Sequence, residues 1–356
     1  MKKIKSKSVA VGVGIMLGVS LAVGGCGANK GGELSIPDTE SMTSATDIEL
    51  VNTEGKVISD LTGEWVEQEI NDRRPVAIMI NNIGEAMPQS GIGQADVIYE
   101  MVVEGGITRL MAVFSDYRGL EKIGPVRSAR QYYVRTADQM DAIFCHIGTS
   151  TLADNEIANS GIADMDGMGA VGNYFIFRDN SRVAPHNAYT SEEALNAGLE
   201  YAGFNMEHSS NYEPMFYFNS KNKDIEEGGS AVKITTAFNA NRQPWFEYNE
   251  DEQQYYRFQF GEAHIDDQTN EQLHFQNVLI LFADTYSVDG YLMEVCNEGS
   301  GDGYYASNGT YISITWRYEN GTIHYYDESG NKLMMNPGKT WVTFFDAANT
   351  TGVIFE

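Results

Sequence analysis

Residues 123–135 read Ile-Gly-Pro-Val-Arg-Ser-Ala-Arg-Gln-Tyr-Tyr-Val-Arg, which gathers Arg127, Arg130 and Arg135 into one short stretch. Guanidinium groups take phosphate, pyrophosphate or carboxylate oxygens in pairs. Gly124-Pro125 predicts a turn, because a proline biases the residue before it away from helix. Ser128 is then expected to cap a helix running to Met140, with Arg127 before the cap and Arg130 in the first turn. Free backbone N–H groups and the positive dipole end would face the turn and suit an anion. Arginine at a helix N-terminus is unfavourable unless something negative is near. That negative group is either an external ligand or a carboxylate of the chain itself, with Asp96, Glu100, Glu104 and Asp116 as candidates.

The run 96–104 is one place to look. In an extended chain Asp96, Glu100 and Glu104 fall on one face. Three carboxylates there can pair with Arg109, Arg127 or Arg130, hold a divalent cation, do acid–base chemistry, or simply face water. Asp96 and Glu100 are weak catalytic candidates on that basis, together with His186. Glu104-Gly105-Gly106 predicts a tight turn that would bring Thr108 and Arg109 to the rim of the site. A second polar group comes from Arg178-Asp179 and from Arg182 to Asn187, where His186 can act as a base and Asn187 can orient a ligand or clamp its own loop. His146 ends an apolar run, and strand ends are where α/β sheets bind ligands. Cys145 is its neighbour in that run, so the two side chains point to opposite faces and form no dyad. The expected ligand set is therefore Arg109, Arg127, Ser128, Arg130, His146, Arg182, His186 and Asn187. No zinc-protease, nucleophile-elbow, phosphate-loop or paired-cysteine pattern is present, so neither a metal nor a cofactor is expected.

Charge narrows the partners. The chain has 24 Lys+Arg against 50 Asp+Glu, a formal net charge of -26 in 356 residues. Four of the lysines lie in the first seven residues; without them the balance is 20 − 50 = −30. Such a charge argues against non-specific nucleic-acid binding and against a diffuse hold on anionic lipid. Any anion must be held by a focused site.

The basic start is followed by an apolar, glycine-containing run from Val9 to Val23 and then Gly24-Gly25-Cys26. The run is short for a spanning helix and fits a secretory signal, residues 1–25. Val23-Gly24-Gly25-Cys26 resembles a bacterial lipobox, which implies cleavage before Cys26 and lipidation of its sulfur. Two or more acyl chains anchor a protein stably on the outer face of the membrane. Residues 26–70, rich in Gly, Ser, Thr and acidic side chains, are expected to be a disordered tether, with Leu61-Thr62-Gly63 as an entry turn. Cys145 and Cys296 remain and are expected to be buried free thiols.

Further along, 76–80, 96–103, 108–115 and 142–146 read as strands, and 128–140 and 191–202 as helices, the latter capped by Thr190 or Ser191 and closed by Gly203. They predict an α/β domain with a mixed sheet over 71–215. From Phe216 onward, short alternating runs at 231–238, 254–260, 277–282, 291–295, 311–318, 322–326 and 341–345 predict an antiparallel β-rich domain over 216–356. Its many aromatics suit either strand packing or stacking on sugar rings.

Several motifs occur in order: R-P-V-A-I-M-I-N-N (74–82), P-Q-S-G-I-G-Q-A-D-V-I-Y-E (88–100), E-G-G-I-T-R-L-M-A-V-F (104–114), I-G-P-V-R-S-A-R (123–130) and A-P-H-N (184–187). With Asn277-Val278 and Gly338-Lys339-Thr340-Trp341 they resemble the YerB-like bacterial lipoproteins (domain of unknown function 3048, N- and C-terminal domains). The resemblance implies a two-domain extracytoplasmic lipoprotein and no established activity. Three functions follow as expectations. One is non-enzymatic binding of a phosphate- or carboxylate-bearing envelope ligand, or of a protein partner, at an arginine-lined cleft. The second is a phosphotransferase or hydrolase acting on wall polymer or polyprenyl phosphate. The third is a purely structural envelope protein.

Overall fold

The protein is represented by a computed structural model that describes residues 55–356. The signal, Cys26 and most of the tether lie outside the described residues. Order begins earlier than the composition suggests. Lys56–Ile58 and Trp65–Glu67 pair as an antiparallel hairpin, followed by a helical turn at Gln68–Asn71. Leu61 and Ile70 are buried, so this short polar segment gains enough apolar contact to fold onto the body. The entry turn is present, with Gly63 at φ +67°.

The first region comprises β1 (Val76–Asn82), β2 (Val97–Val102), β3 (Thr108–Phe114), α1 (Gln131–Gln139), β4 (Ile143–His146), α2 (Thr151–Ser160), β5 (Asp164–Asp166) and α3 (Glu192–Ala202). The second is strand-rich: β6 (Lys233–Thr236), β7 (Trp245–Asn249), β8 (Gln254–Gln259), β9 (Asn277–Ala283), β10 (Ser300–Ser307), β11 (Thr310–Glu319), β12 (Thr322–Tyr326), β13 (Thr340–Asp346) and β14 (Val353–Phe355). Helix α3 has the expected ends: Ser191 Oγ accepts from Ala194 N, and Gly203 closes it at φ +67°. Helix α2 is capped in the same way by Ser150 and closed by Gly161. Its helical face carries only Ala153 as a buried residue, too faint a pattern to read beforehand.

One sheet runs through both regions, in the order β11-β10-β9-β13-β2-β3-β1-β4-β5, with β12 and Gly229–Ser230 on the outer edge of β11. The seam is β13 on β2, parallel, with Trp341 opposite Ile98 and Thr343 opposite Glu100. β13 is also parallel to β9. The remaining pairings of the second region's large sheet are antiparallel. The antiparallel expectation thus has two departures, β13 on β9 and the short parallel pair of Tyr217–Phe218 with Met334–Met335, and the first has a physical reason. β13 and β9 are buried over nearly their whole length, as central parallel strands are, and carry almost continuous apolar or small residues instead of alternation.

Both faces of this sheet are covered. On one face Met79, Tyr99, Met101 and Met111 pack against Tyr132, Tyr133 and Ala137 of α1, and Leu279 and Leu281 continue the same core. On the other, Ile78, Ile80, Ile98 and Leu110 meet Leu195 and Leu199 of α3. There too Val278, Ile280 and Trp341 meet Ile234, Phe246 and Tyr255 of a second, antiparallel sheet containing β6, β7, β8 and β14. The alternation of side chains along β1 and β2 sorts residues between these layers. Most of the large aromatics of the second region are spent on packing: Tyr255, Tyr305, Trp316, Tyr325 and Trp341 are buried, and Trp245 stacks on Phe258 at 5.0 Å. Among the described residues Cys145 is buried, Cys296 is half-buried, and both are free thiols.

Candidate anion site at the strand ends

β1 ends in Asn81-Asn82, and the pleat sends the two amides to opposite faces. Asn81 faces the layer of α1. There its amide Nδ2 donates to Nδ1 of His186 at 2.7 Å, and Nη2 of Arg127 donates to the same nitrogen at 3.3 Å. Two donors aimed at one ring nitrogen assign the imidazole proton to Nε2. Burial, then the Arg127 charge, lowers the His186 pKa below its usual value, which keeps the ring neutral. Arg127 is placed by the sheet itself: its N–H donates to Met79 O at 2.9 Å and its carbonyl accepts from Ile147 N at 3.1 Å. Gly124 makes the approach possible. It sits at φ +145°, and an added Cβ would lie 2.9 Å from the Tyr189 ring.

Arg127 is half-buried and its Nε has no hydrogen-bond partner. Burial, then the Arg178 charge, lowers its pKa. Among the described residues the Arg178 side chain bonds only the amide oxygen of Asn187, at 3.1 Å, and that of Arg109 only the Ser128 carbonyl, at 2.6 Å. Burial and the neighbouring Arg130 bring the Arg109 pKa down to about 10, still charged at neutral pH. None of Arg109, Arg127 and Arg178 is in an ion pair among the described residues, although the chain has a two-to-one excess of acids. These three guanidinium groups and the neutral imidazole N–H are donors, with Glu104 acting on Arg109 and Glu85 on His186 from outside hydrogen-bond contact.

The other arginines of the stretch are not part of it. Helix α1 starts at Gln131, not at Ser128, and Arg130 is its N-cap with no side-chain cap bond. Ser128 Oγ instead donates to Ile147 O at 3.0 Å, because the chain is still extended there. Arg130 is clamped on Glu104, with Nη2 to Oε2 at 2.6 Å and Nε to both oxygens at 2.9 Å. Burial alone would raise the Glu104 carboxyl; the hydrogen bonds and charge of Arg130 outweigh it and leave it below its usual value. Arg135 pairs with Glu294, with Glu156 and Glu298 each 3.6 Å away.

The single acidic face also dissolves. β2 stops at Val102, and the turn at Glu104–Gly106 swings Glu104 to the α1 side. Glu100 points the opposite way, fully buried, with Oε2 accepting from Arg257 Nη2 at 2.6 Å and Oε1 accepting from Thr108 at 2.7 Å and Asn82 at 3.2 Å. A saturated, buried carboxylate on the far face cannot serve the Arg127 corner, so Glu100 is a structural residue. His146 is likewise turned inward: Nε2 meets Asp164 Oδ1 at 2.6 Å and Nδ1 meets Gly148 O at 3.0 Å. Arg182 reaches back to the carbonyls of Met87 at 3.1 Å and Pro88 at 3.3 Å, which fixes the 85–88 loop. Sequence reasoning missed Asn81 as a site residue and gave Arg178 only as a neighbour. The doubled Asn81-Asn82 after a buried run was the available signal.

Asp96 stands apart, before β2, with Oδ2 accepting from Ser115 N and Oγ at 2.6 and 2.7 Å. It lines a cavity of about 570 Å³ with Glu64, Asp266, Glu271 and Lys339. Burial raises its carboxyl from 3.8 to about 6, against the two Ser115 hydrogen bonds. A folded-state pKa above the unfolded one gives stability that is full below about pH 4 and lost as pH rises through 6. Asp96→Asn is therefore expected to flatten the stability curve between pH 4 and 7 by about 2–3 kcal/mol relative to wild type. Urea unfolding at several pH values reads this directly; parallel curves would place the Asp96 carboxyl near its usual range.

Residues 61–205 match a family model described as "Protein of unknown function (DUF3048) N-terminal domain", and residues 234–342 match its C-terminal domain. The chain belongs to this family. A curated relative, "Putative lipoprotein YerB" of Bacillus subtilis (strain 168), is 34% identical over 305 residues, 84% of this chain and 90% of the relative. The crystal structure of YerB protein from Bacillus subtilis superposes with a TM-score of 0.74 at 28% identity, covering 85% of this chain and all of that one. The matches fit the mixed sheet followed by a strand-rich region, and they carry no ligand or activity with them. Among the described residues no helix is long and apolar enough to cross a membrane.

Proposed function

We propose that this chain is a lipoprotein held on the outer face of the cell membrane through Cys26, where it binds a phosphate- or carboxylate-bearing component of the envelope at the Arg127 corner. The reading of the anchor rests on the lipobox and on the name of the Bacillus subtilis relative. The reading of the site rests on one observation: Arg127 is half-buried without an acidic partner, while Arg130 and Arg135 in the same stretch are both ion-paired. Burying a guanidinium without compensation is costly, and such a cost is retained where a ligand supplies the missing charge. Arg127, Arg178, Arg109 and the Nε2–H of His186 would donate, with Asn81 fixing the imidazole and Asn187 fixing Arg178. Of the acid–base candidates of the transferase or hydrolase alternative, only His186 stays at the corner, since Glu100 is sealed on Arg257 and Asp96 is bonded to Ser115 at the far end of β2.

The test is titration calorimetry of the soluble chain from residue 27 onward with inorganic phosphate and pyrophosphate. Binding is expected, and Arg127→Ala should weaken it about 10- to 100-fold, the loss of charge-assisted hydrogen bonds. Wild type that takes neither anion would remove the proposal.

A further inference from the structure

The segment that carries Arg178 and His186 also carries apolar side chains that the fold leaves in water. Met168 is 72% exposed, Val183 81% and Phe177 38%. Tyr174, exposed as well, stacks on Tyr201 at 4.2 Å. Single exposed apolar residues are ordinary, but a group of them rimmed by cations marks a binding surface.

Met168 and Val183 border the corner. A Cβ added to Gly148 would lie 3.4 Å from Ser128 Oγ and 3.7 Å from Met168 Cγ, so Met168 stands beside the residue that follows Arg127. Phe177 precedes Arg178 in a two-stranded ribbon, so its side chain leaves by the opposite face and stacks on Tyr189 at 6.3 Å. The Val183 carbonyl accepts from His186 N at 2.9 Å, so Val183 and the imidazole belong to one tight turn. Of the nearby acids, exposed Glu85 acts on His186, and three others are already engaged. Asp166 accepts from Gly148 N and Met168 N, Asp164 meets His146, and Asp179 holds Lys122 and Ser181. Unpaired cations and exposed apolar side chains therefore share these segments.

We infer that the anion taken at the corner is the headgroup of an amphiphile, a lipid-linked phosphate, whose hydrocarbon lies across Met168 and Val183. This rests on the reading of the corner as an anion site and adds the ligand's second half. Charge complementarity selects a phosphate on Arg127 and Arg178, and the apolar rim is of no use to a free ion. Each methylene removed from water adds to affinity, so a prenyl or acyl phosphate gains over inorganic phosphate even if the rim covers only its first few carbons.

The experiment titrates the soluble chain with inorganic phosphate, with farnesyl phosphate below its micelle concentration, and with farnesol. Farnesyl phosphate is expected to bind at least tenfold more tightly than phosphate, and farnesol far more weakly than farnesyl phosphate. The doubly substituted Met168→Ser, Val183→Ser chain should lose most of that advantage while binding phosphate as wild type does. Both positions are exposed, so an unchanged Tm is expected and serves as the control for folding. Phosphate and farnesyl phosphate binding equally well would overturn the amphiphile and leave the corner. Farnesol matching farnesyl phosphate, or a double variant with undiminished preference, would do the same. If neither phosphate compound binds, the corner reading falls as well.

Discussion

Arg257→Met is expected to destabilise the protein by about 3–5 kcal/mol, the cost of leaving one member of a buried ion pair alone. Arg257 and Glu100 have no exposed side-chain surface, and their 2.6 Å contact joins β8 of the second sheet to β2 of the first. Burial, partly offset by Glu100, brings the Arg257 pKa to about 10, so the guanidinium stays charged at neutral pH. Its Nε and Nη1 have no hydrogen-bond partner. Instead the cation lies 4.1 Å from the Trp341 ring centroid and 4.8 Å from that of Phe246, which offsets part of its desolvation. Methionine fills a similar volume, so the loss would come from charge and not from a cavity. The double variant Arg257→Met, Glu100→Met is expected to recover much of the stability, because an apolar pair of matched volume is often neutral. Asn82 and Thr108 would then lack their common acceptor, which sets a residual cost of about 1–2 kcal/mol. Guanidinium unfolding of the four chains gives the coupling energy; strictly additive losses would mean that the pair does not hold the two sheets together.

How far this arrangement could be read beforehand depends on the kind of signal. The buried strands β1 and β2 were legible because their apolar runs are bounded by Pro75, Asn81-Asn82 and the glycines at 105–106. Helix α3 was legible because Ser191 and Gly203 bracket a helical spacing. β10 was not, since Gly301 and Gly303 interrupt its pattern; they are needed because added Cβ atoms would meet the carbonyls of Phe282 and Ile280 at 2.3 and 2.5 Å. At the site, residue type was informative and pairing was not. Arg127, Arg130 and Arg135 look alike in sequence, yet only Arg127 is left without an acid. The partners of the other two, Glu104 and Glu294, are fixed by a turn after β2 and by a short hairpin strand, Met293–Val295, more than 150 residues further on. The same holds for Glu100, whose partner Arg257 arrives from the second region. Charge alone suggested a ligand face there, and the tertiary fold made it an internal tie.

That tie has a larger consequence. A chain ended at residue 232, which keeps the whole matched N-terminal domain, is expected to be unable to reach a native fold. β2 lies between β3 and β13, and every residue from Val97 to Met101 is buried. Removing β13 would open a long apolar strand edge with unpaired N–H and C=O groups, the kind of edge that aggregates. It would also strip Arg257 from Glu100 and the layer containing Ile234, Phe246 and Tyr255 from one face of the sheet. The truncated chain should keep part of its far-ultraviolet circular dichroism, lose the near-ultraviolet signal of packed aromatics and bind a hydrophobic dye. The intact chain, in turn, should unfold in a single transition seen identically by tryptophan fluorescence and by circular dichroism. All four tryptophans lie outside α1–α3, at positions 65, 245, 316 and 341, so fluorescence and helix signal report different parts of the molecule. Two separated transitions, or a well-folded truncated chain, would mean that the continuous sheet is a junction between two independent bodies. A single transition would mean that an anion bound at the Arg127 corner also stabilises the distant second sheet, by RT ln(1 + [L]/Kd), although it touches none of it.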